Sequence, residues 1–349
     1  MKIIHVGPEG KGETAQQRAR AMEDLGHEVH RVFYRRQGEQ PQLWLKLYRA
    51  AWRRLGYPRE RWGENAALVR AVMGFLPDIV WVEKGLTIRP KSLEKIRRIS
   101  PKTMLIAYSP DDMMNPDNQS RYYLACLSLY DLHVTTKTYN ISELLDMGAR
   151  KVEFMPNSFD PHTHRSISIT ESDIRVYGAN VSFVGAFEQE RAESMIYLAK
   201  HGIPIRIWGV MWHKLKRRHP NLHIEGRPVY NEEYAKTLCA AKINLGFLRK
   251  VNRDNQTSRS IEIPACGAFM LAERSDAHLS LFMEGSEAEF FSDNEELLRK
   301  TRYYLDHEEE RVLIGRAGRE RCIRSGYSYQ ERLTKILDRC QEMLRTISK

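Results

Sequence analysis

The sequence predicts an α/β protein of two doubly wound domains, each a parallel sheet with helices on both faces. Three observations carry that prediction. The 349 residues exceed what one domain uses, at roughly 150 residues per domain. Short β-branched runs alternate with helix-length amphipathic stretches, the rhythm of parallel strand–helix units. That rhythm breaks once, at a polar segment bearing prolines, and then restarts.

In the first half, Lys2–Val6 reads as a strand and Thr14–Leu25 as a helix that Gly26 stops. Glu28–Tyr34, Asp78–Val82, Met104–Tyr108, Leu132–Thr135 and Lys151–Phe154 are the further strands expected. Helices near Asn65–Phe75, Lys91–Ile99 and Tyr139–Met147 are expected between them. The break is Met155-Pro156-Asn157-Ser158-Phe159-Asp160-Pro161 and the polar stretch to Asp173. Beyond it, Ala179–Val184, Ile203–Trp208, Leu222–Glu225, Ile243–Phe247 and Ala268–Ala272 read as strands. Glu190–His201, Glu232–Ala241 and Arg259–Cys266 read as the helices that separate them. From Asn294 onward the chain is nearly all helix, interrupted at Gly326-Tyr327-Ser328-Tyr329. The expected division is residues 1–160, a linker 161–178, a second domain 179–328, and a terminal helix 329–349. Two such domains put a ligand-binding cleft at the carboxyl edges of their sheets.

Composition narrows the partners. Apolar residues make 42% and charged residues 29%, which excludes a mostly disordered chain. Five scattered cysteines without a CxxC pair read as reduced thiols, and twelve histidines show no ligand-pair spacing, so no metal is expected. No run approaches the ~20 apolar residues of a membrane span, and no leader-like run precedes the first strand. The expectation is a cytoplasmic protein. The balance of 55 basic against 45 acidic residues, +10, favours anionic partners.

Four constellations carry candidate chemistry. Gly7-Pro8-Glu9-Gly10-Lys11-Gly12-Glu13-Thr14 follows a strand and opens a helix, where backbone N–H groups suit phosphate. It is no Walker A loop, since Glu13-Thr14 follows Gly12. Gly10, Gly12 and Ala15 do spell a dinucleotide fingerprint, but Arg35-Arg36 stands where that fingerprint expects an acid. Second, Asn255 to Gly267 runs from small polar residues into a helix bearing one carboxylate, Glu262. A carboxylate accepts both hydroxyls of a ribose, and the Gln256-Thr257-Ser258-Arg259 stretch offers N–H groups to a diphosphate. Third, Asp111 and Asp112 end a strand at the cleft, where one of them can orient an acceptor hydroxyl or act as base.

The fourth, Gln40–Trp62, places Leu43, Trp44, Leu47, Tyr48, Ala51, Trp52 and Leu55 at helical spacing among arginines. This aromatic stripe is expected to pack on its own sheet. A peripheral contact with anionic membrane is the other reading. No nucleic-acid-binding motif is present.

Ile261–Gly267 resembles the "LEAMACG" segment of retaining GT-B glycosyltransferases, the "glycosyl transferases group 1" class. The string through Phe269-Met270-Leu271-Ala272-Glu273 is similar to the CgeB-like, spore-maturation-protein branch, as are Arg319–Cys322 and Tyr327-Ser328-Tyr329. Met155–Asp160 resembles the "PNGVD" hinge of the wider class. The resemblance implies a GT-B fold whose last helix crosses back to the first domain. It implies a nucleotide-diphosphate-sugar donor as substrate and transfer with retention to an acceptor that the residues do not identify; with no ligand spacing and no Asp-x-Asp motif in the sequence, no metal or other cofactor is expected. It implies that Glu262 holds the ribose and that Asp254, eight residues earlier, touches the transferred sugar. Asp254 stands where Glu is usual, and Asn255-Gln256-Thr257 replace the usual Gly-Phe-Gly. It also implies a basic pair on the diphosphate, with Arg191 or Arg249-Lys250 as the candidates. Two rivals stay open: a non-catalytic GT-B-like binding module, and an NADP-type oxidoreductase using Gly10, Gly12, Ala15 and Arg35.

Overall fold

A computed structural model describes residues 1–35, 43–215 and 219–347. Arg36 of the dinucleotide reading and residues 40–42 at the head of the basic helix lie outside the described residues. The same holds for the side chain of Arg35. The chain divides into two compact units, Met1–Pro156 with Tyr329–Lys349, and Asn157–Ser328.

The first unit runs β1 (Lys2–Pro8), α1 (Thr14–Asp24), β2 (Glu28–Arg35), α2 (Leu43–Arg54), α3 (Glu64–Phe75), β3 (Ile79–Glu83), α4 (Pro90–Ile99), β4 (Met104–Ser109), α5 (Arg121–Cys126), β5 (Leu132–Thr135), α6 (Asn140–Asp146) and β6 (Val152–Phe154). Its six strands are parallel in the order β2-β1-β3-β4-β5-β6. Helices cover both faces, so a central strand is apolar throughout rather than alternating. In β3, Ile79 and Trp81 enter one core with Met22 and Ile106, while Val80 and Val82 enter another with Leu68 and Leu93.

The second unit continues with α7 (Glu171–Tyr177), β7 (Ala179–Val184), α8 (Gln189–Lys200), β8 (Ile205–Trp208), β9 (Leu222–Ile224), α9 (Asn231–Cys239) and β10 (Ala241–Gly246). It ends with α10 (Arg259–Ala265), β11 (Met270–Glu273), α11 (Asp276–Leu281), β12 (Glu289–Phe291), α12 (Asn294–Asp306) and α13 (Glu308–Arg324). Its strands are parallel in the order β12-β11-β10-β7-β8-β9. In each sheet the order reverses direction once, between β1 and β3 and between β7 and β10, and crevices at such points take ligands.

The terminal helix α14 (Tyr329–Ile347) belongs to the first unit. Tyr329, Leu333, Ile336, Leu337 and Cys340 form one helical stripe that joins Ile3 and Trp81 in the core.

Two expectations need correction. The polar segment 161–178 is not all linker, because Thr170 and Asp173 close a reciprocal capping box that starts α7. The aromatic stripe of α2 does not pack on its own sheet. Trp44 and Leu47 are each 64% exposed, Leu55 61% and Tyr48 41%. On another side of the helix, half-buried Arg49 and exposed Ala50 and Arg53 line a cavity.

Candidate functional site

In the second unit the polar groups gather at the carboxyl ends of β7 and β10. Strand β7 delivers Phe183 and then Gly185, whose backbone runs so close to β8 that a side chain has no room at Gly209. A Cβ at Gly185 itself comes within 2.8 Å of the Phe183 ring and 3.1 Å of the Arg259 guanidinium. Glycine at 185 therefore lets Arg259, at the start of α10, reach over the strand end. Arg191 comes from the first turn of α8. Both guanidiniums lie over the Phe183 ring, at 5.4 Å for Arg191 and 5.5 Å for Arg259.

The two cations are not equally paired. Arg191 is buried and bonds Glu188 at 2.8 Å and the Ala186 carbonyl at 3.3 Å. Burial, followed by the neighbouring Arg259 charge, lowers its pKa to about 10. Arg259 has no carboxylate or hydrogen-bond partner among the described residues, and its Nε is buried. Arg249 and Lys250, the other basic pair considered, are exposed and engaged by acids: Arg249 with Glu188 at 2.7 Å, Lys250 with Glu190 at 3.3 Å. A positive locus thus stands at the topological switch point, built by Arg191 and Arg259.

Glu262 is one turn further along α10 and nearly buried. The Tyr234 hydroxyl of α9 donates to its Oε2 at 2.7 Å. His164 Nε2 lies 3.7 Å from Oε1. The Asp160 amide donates to His164 Nδ1 at 3.0 Å, so the imidazole proton sits on Nε2 and faces the carboxylate. A carboxylate has about four acceptor sites, so these neighbours orient Glu262 and leave capacity for a ligand's hydroxyls.

The loop between β10 and α10 carries the rest. Asp254 accepts from Asn252 Nδ2 at 2.8 Å, after Arg253 in the left-handed region at φ 46°. A non-glycine residue held there marks a turn fixed by its surroundings. Gln256 is buried, and its Oε1 has no partner among the described residues. The Thr257 N–H, read as a donor to phosphate, is instead bonded to Ser260 Oγ at 2.9 Å. Ser260 is in turn 2.6 Å from His278 Nε2, and His278 Nδ1 is 2.6 Å from the Glu273 carbonyl. Burial lowers His278 to about 4, so it is neutral and accepts the Ser260 proton. Ser258 makes no side-chain cap to α10.

The first unit has its own switch-point cluster, absent from the sequence reading. Glu83 ends β3 and receives Arg18 through Nε at 2.8 Å and a terminal nitrogen at 2.6 Å. Trp81 Nε1 donates at 2.9 Å, and His5 Nε2 lies at 3.1 Å. Burial pushes the carboxyl up, but the Arg18 charge and hydrogen bonds from His5 and Arg18 outweigh it and hold it at about 2. Arg18 also stacks 4.2 Å from Tyr108 and bonds Tyr329 of α14. This pair borders a cavity of about 620 Å³ that also touches Thr14, Lys84 and Asp111. The adjacent acids separate there. Asp111 lines the cavity and pairs with Lys84 at 2.6 Å, whereas Asp112 is buried and bonds Asn140 at 2.9 Å and the Met114 amide at 3.0 Å. In the glycine-rich turn, Gly12 has φ 73° and α1 has no side-chain cap. Among the described residues no group of three or more His, Cys, Asp or Glu is placed to hold a metal ion.

Residues 191–338, from Arg191 through α10 and into α14, match the family model described as glycosyl transferase-like. The similarity is to glycosyltransferases. Among solved structures, sucrose-phosphate synthase from Thermosynechococcus elongatus superposes with a TM-score of 0.68 at 12% identity, over 99% of this chain and 100% of that one. Anabaena HepE in complex with UDP and glucose gives 0.67 at 12% identity, over 98% and 100%. AviGT4, a glycosyltransferase involved in avilamycin A biosynthesis, gives 0.63 at 13% identity, over 99% and 98%. Likeness at this identity is one of fold, and the fold is GT-B: two six-stranded parallel sheets with surrounding helices. No curated protein matches the chain in sequence. Among the described residues no helix is long and apolar enough to cross a membrane.

Arg18, Glu83, Tyr234 and His164 are the residues the sequence reading missed. A carboxylate closing the apolar run Ile79–Val82, and an arginine inside the stripe Ala15, Ala19, Met22, were the signals available for the first two.

Proposed function

We propose that the protein is a GT-B glycosyltransferase that moves a sugar from a nucleotide-diphosphate-sugar donor, with Arg191 and Arg259 on the diphosphate and Glu262 on the ribose. The observation that carries this is Arg259, a cation without an acid partner among the described residues, set beside buried Arg191. Two like charges so close cost energy until an anion joins them, and a diphosphate spans two guanidiniums. As the bond from the anomeric carbon to the diphosphate breaks, negative charge grows on the leaving oxygen. Fixed positive groups there act more strongly on that state than on the ground state. The chemistry then needs no divalent cation, and the reading is metal-independent. In this reading Asp254 meets the transferred sugar, and Gln256 belongs to the same donor loop. Retention of anomeric configuration rests on the resemblance of Ile261–Gly267, and the CgeB-like branch on that of Phe269–Glu273, Arg319–Cys322 and Tyr327–Tyr329. The first-unit cavity, with Asp111, takes the acceptor. The five free cysteines fit a reducing, cytoplasmic setting.

Uridine donors come first, since HepE is described in complexes with UDP and with UDP-glucose. The test is a melting titration with nucleotide sugars in EDTA. A ligand at a hundred times its Kd stabilises the folded state by about 2.7 kcal/mol. A rise in Tm with one donor supports the reading. No shift with any nucleotide sugar, or one that requires Mg²⁺ or Mn²⁺, contradicts it.

A further inference from the structure

Helix α2 is amphipathic with its apolar side outward. Trp44, Leu47, Tyr48, Ala51 and Leu55 recur at i, i+3, i+4, i+7 and i+11, which is one stripe, and all are exposed. Arg49, Ala50 and Arg53, on another side of the helix, line the first-unit cavity. From Leu43 to Arg59 the sequence has Lys46, Arg49, Arg53, Arg54 and Arg59 and no acid. The Arg59 guanidinium lies 4.9 Å from the Trp52 ring and 5.8 Å from Tyr48, so a cation sits at the border of the stripe.

We infer that α2 docks on the surface of an anionic lipid bilayer. Leu47, Tyr48 and Leu55 enter the boundary between headgroups and acyl chains, and the arginines beside them meet lipid phosphates. Charge decides between occupants. A second copy of this acid-free basic segment sets cations against cations and is repelled, whereas an anionic bilayer supplies both the missing charge and an apolar medium. Twelve residues rise about 18 Å, too short to span, so the helix lies in the plane of the interface. In that pose α2 is the wall between the bilayer and the first-unit cavity.

Sedimentation of the full chain with vesicles tests this. Vesicles of phosphatidylglycerol and phosphatidylcholine are compared with phosphatidylcholine alone, at low and high salt. The protein pellets with the anionic vesicles, stays in solution with the neutral ones, and is released by salt. Leu47→Ser with Leu55→Ser weakens pelleting by about tenfold or more, and Arg54→Glu weakens it similarly. All three positions are exposed and outside both the cavity lining and the donor residues, so an unchanged Tm and donor response show that these variants fold. Equal retention in solution with both vesicle types overturns the inference. So does pelleting that the double serine variant leaves intact, which means surface charge alone. A dimer in light scattering that the double serine variant dissolves, without vesicle binding, assigns the stripe to a second copy and also overturns it.

Discussion

The two switch points are built alike and charged differently. Each lies where a doubly wound sheet reverses, and each receives an arginine from the first turns of a following helix, Arg18 from α1 and Arg191 from α8. In the first unit the arginine meets Glu83 through two hydrogen bonds, and cation and anion neutralise one another inside the protein. In the second, Arg191 meets another cation. Glu188 is shared between Arg191 and Arg249, and Arg259 is left without an acid among the described residues. A neutralised pair holds a fold, while a cation left without an acid beside another cation leaves a place for an anionic ligand. The same architecture therefore carries a neutralised centre in one half and, in the function proposed above, an anion site in the other.

That contrast breaks first on stability. Arg18→Met leaves the Glu83 carboxylate buried with its principal partner gone, which costs roughly 3–5 kcal/mol in chemical denaturation. Arg259→Met removes like-charge repulsion, so stability should stay within about 0.5 kcal/mol or rise. Equal destabilisation by the two variants erases the distinction.

Acid sharpens it next. Glu83 is held at about 2 in the folded state against an ordinary 4.5. Because the folded value is the lower one, its contribution is complete above pH 4.5 and is lost as pH falls toward 2. The size is on the order of 3 kcal/mol. Denaturation followed between pH 6 and 2 should show this decline, and Glu83→Gln should flatten it. An unchanged acid limb in that variant removes Glu83 from the account.

Ligand affinity separates the halves at smaller energies. Arg259→Met should weaken a nucleotide-sugar donor by roughly 1.5–3 kcal/mol, ten- to over a hundredfold by calorimetry, and Glu262→Ala by a similar amount. Tyr234→Phe keeps the carboxylate but loosens its aim, which is worth about 1 kcal/mol or fivefold. Donor affinity equal to wild type in Arg259→Met refutes the diphosphate assignment.

Much of the fold was legible because burial on both faces writes apolar runs directly into the strands. The run Asp78–Val82 falls one residue from β3, and Ala179–Val184 coincides with β7. Glu262 stood out because one carboxylate on a short helix after small polar residues is a local signal. Its neighbours were silent, since Tyr234 and His164 lie 28 and 98 residues away and acquire meaning only through packing. Arg18 and Glu83 are 65 residues apart and read singly as a surface cation and a strand end. Helix α7 was hidden by its polar composition, although Thr170 and Asp173 have capping-box spacing. In α2 the period was correct and the buried face was not, because hydrophobic spacing specifies a stripe but not what covers it.

The central claim is that the nucleotide-sugar site belongs to the second unit, and hydrogen exchange on the full chain with UDP-glucose tests it most directly. The account predicts slowed exchange from Gly185 through Arg191 and from Arg249 through Glu262, with Gly7–Thr14 unchanged. Protection confined to Gly7–Thr14 contradicts it and favours a dinucleotide site in the first unit.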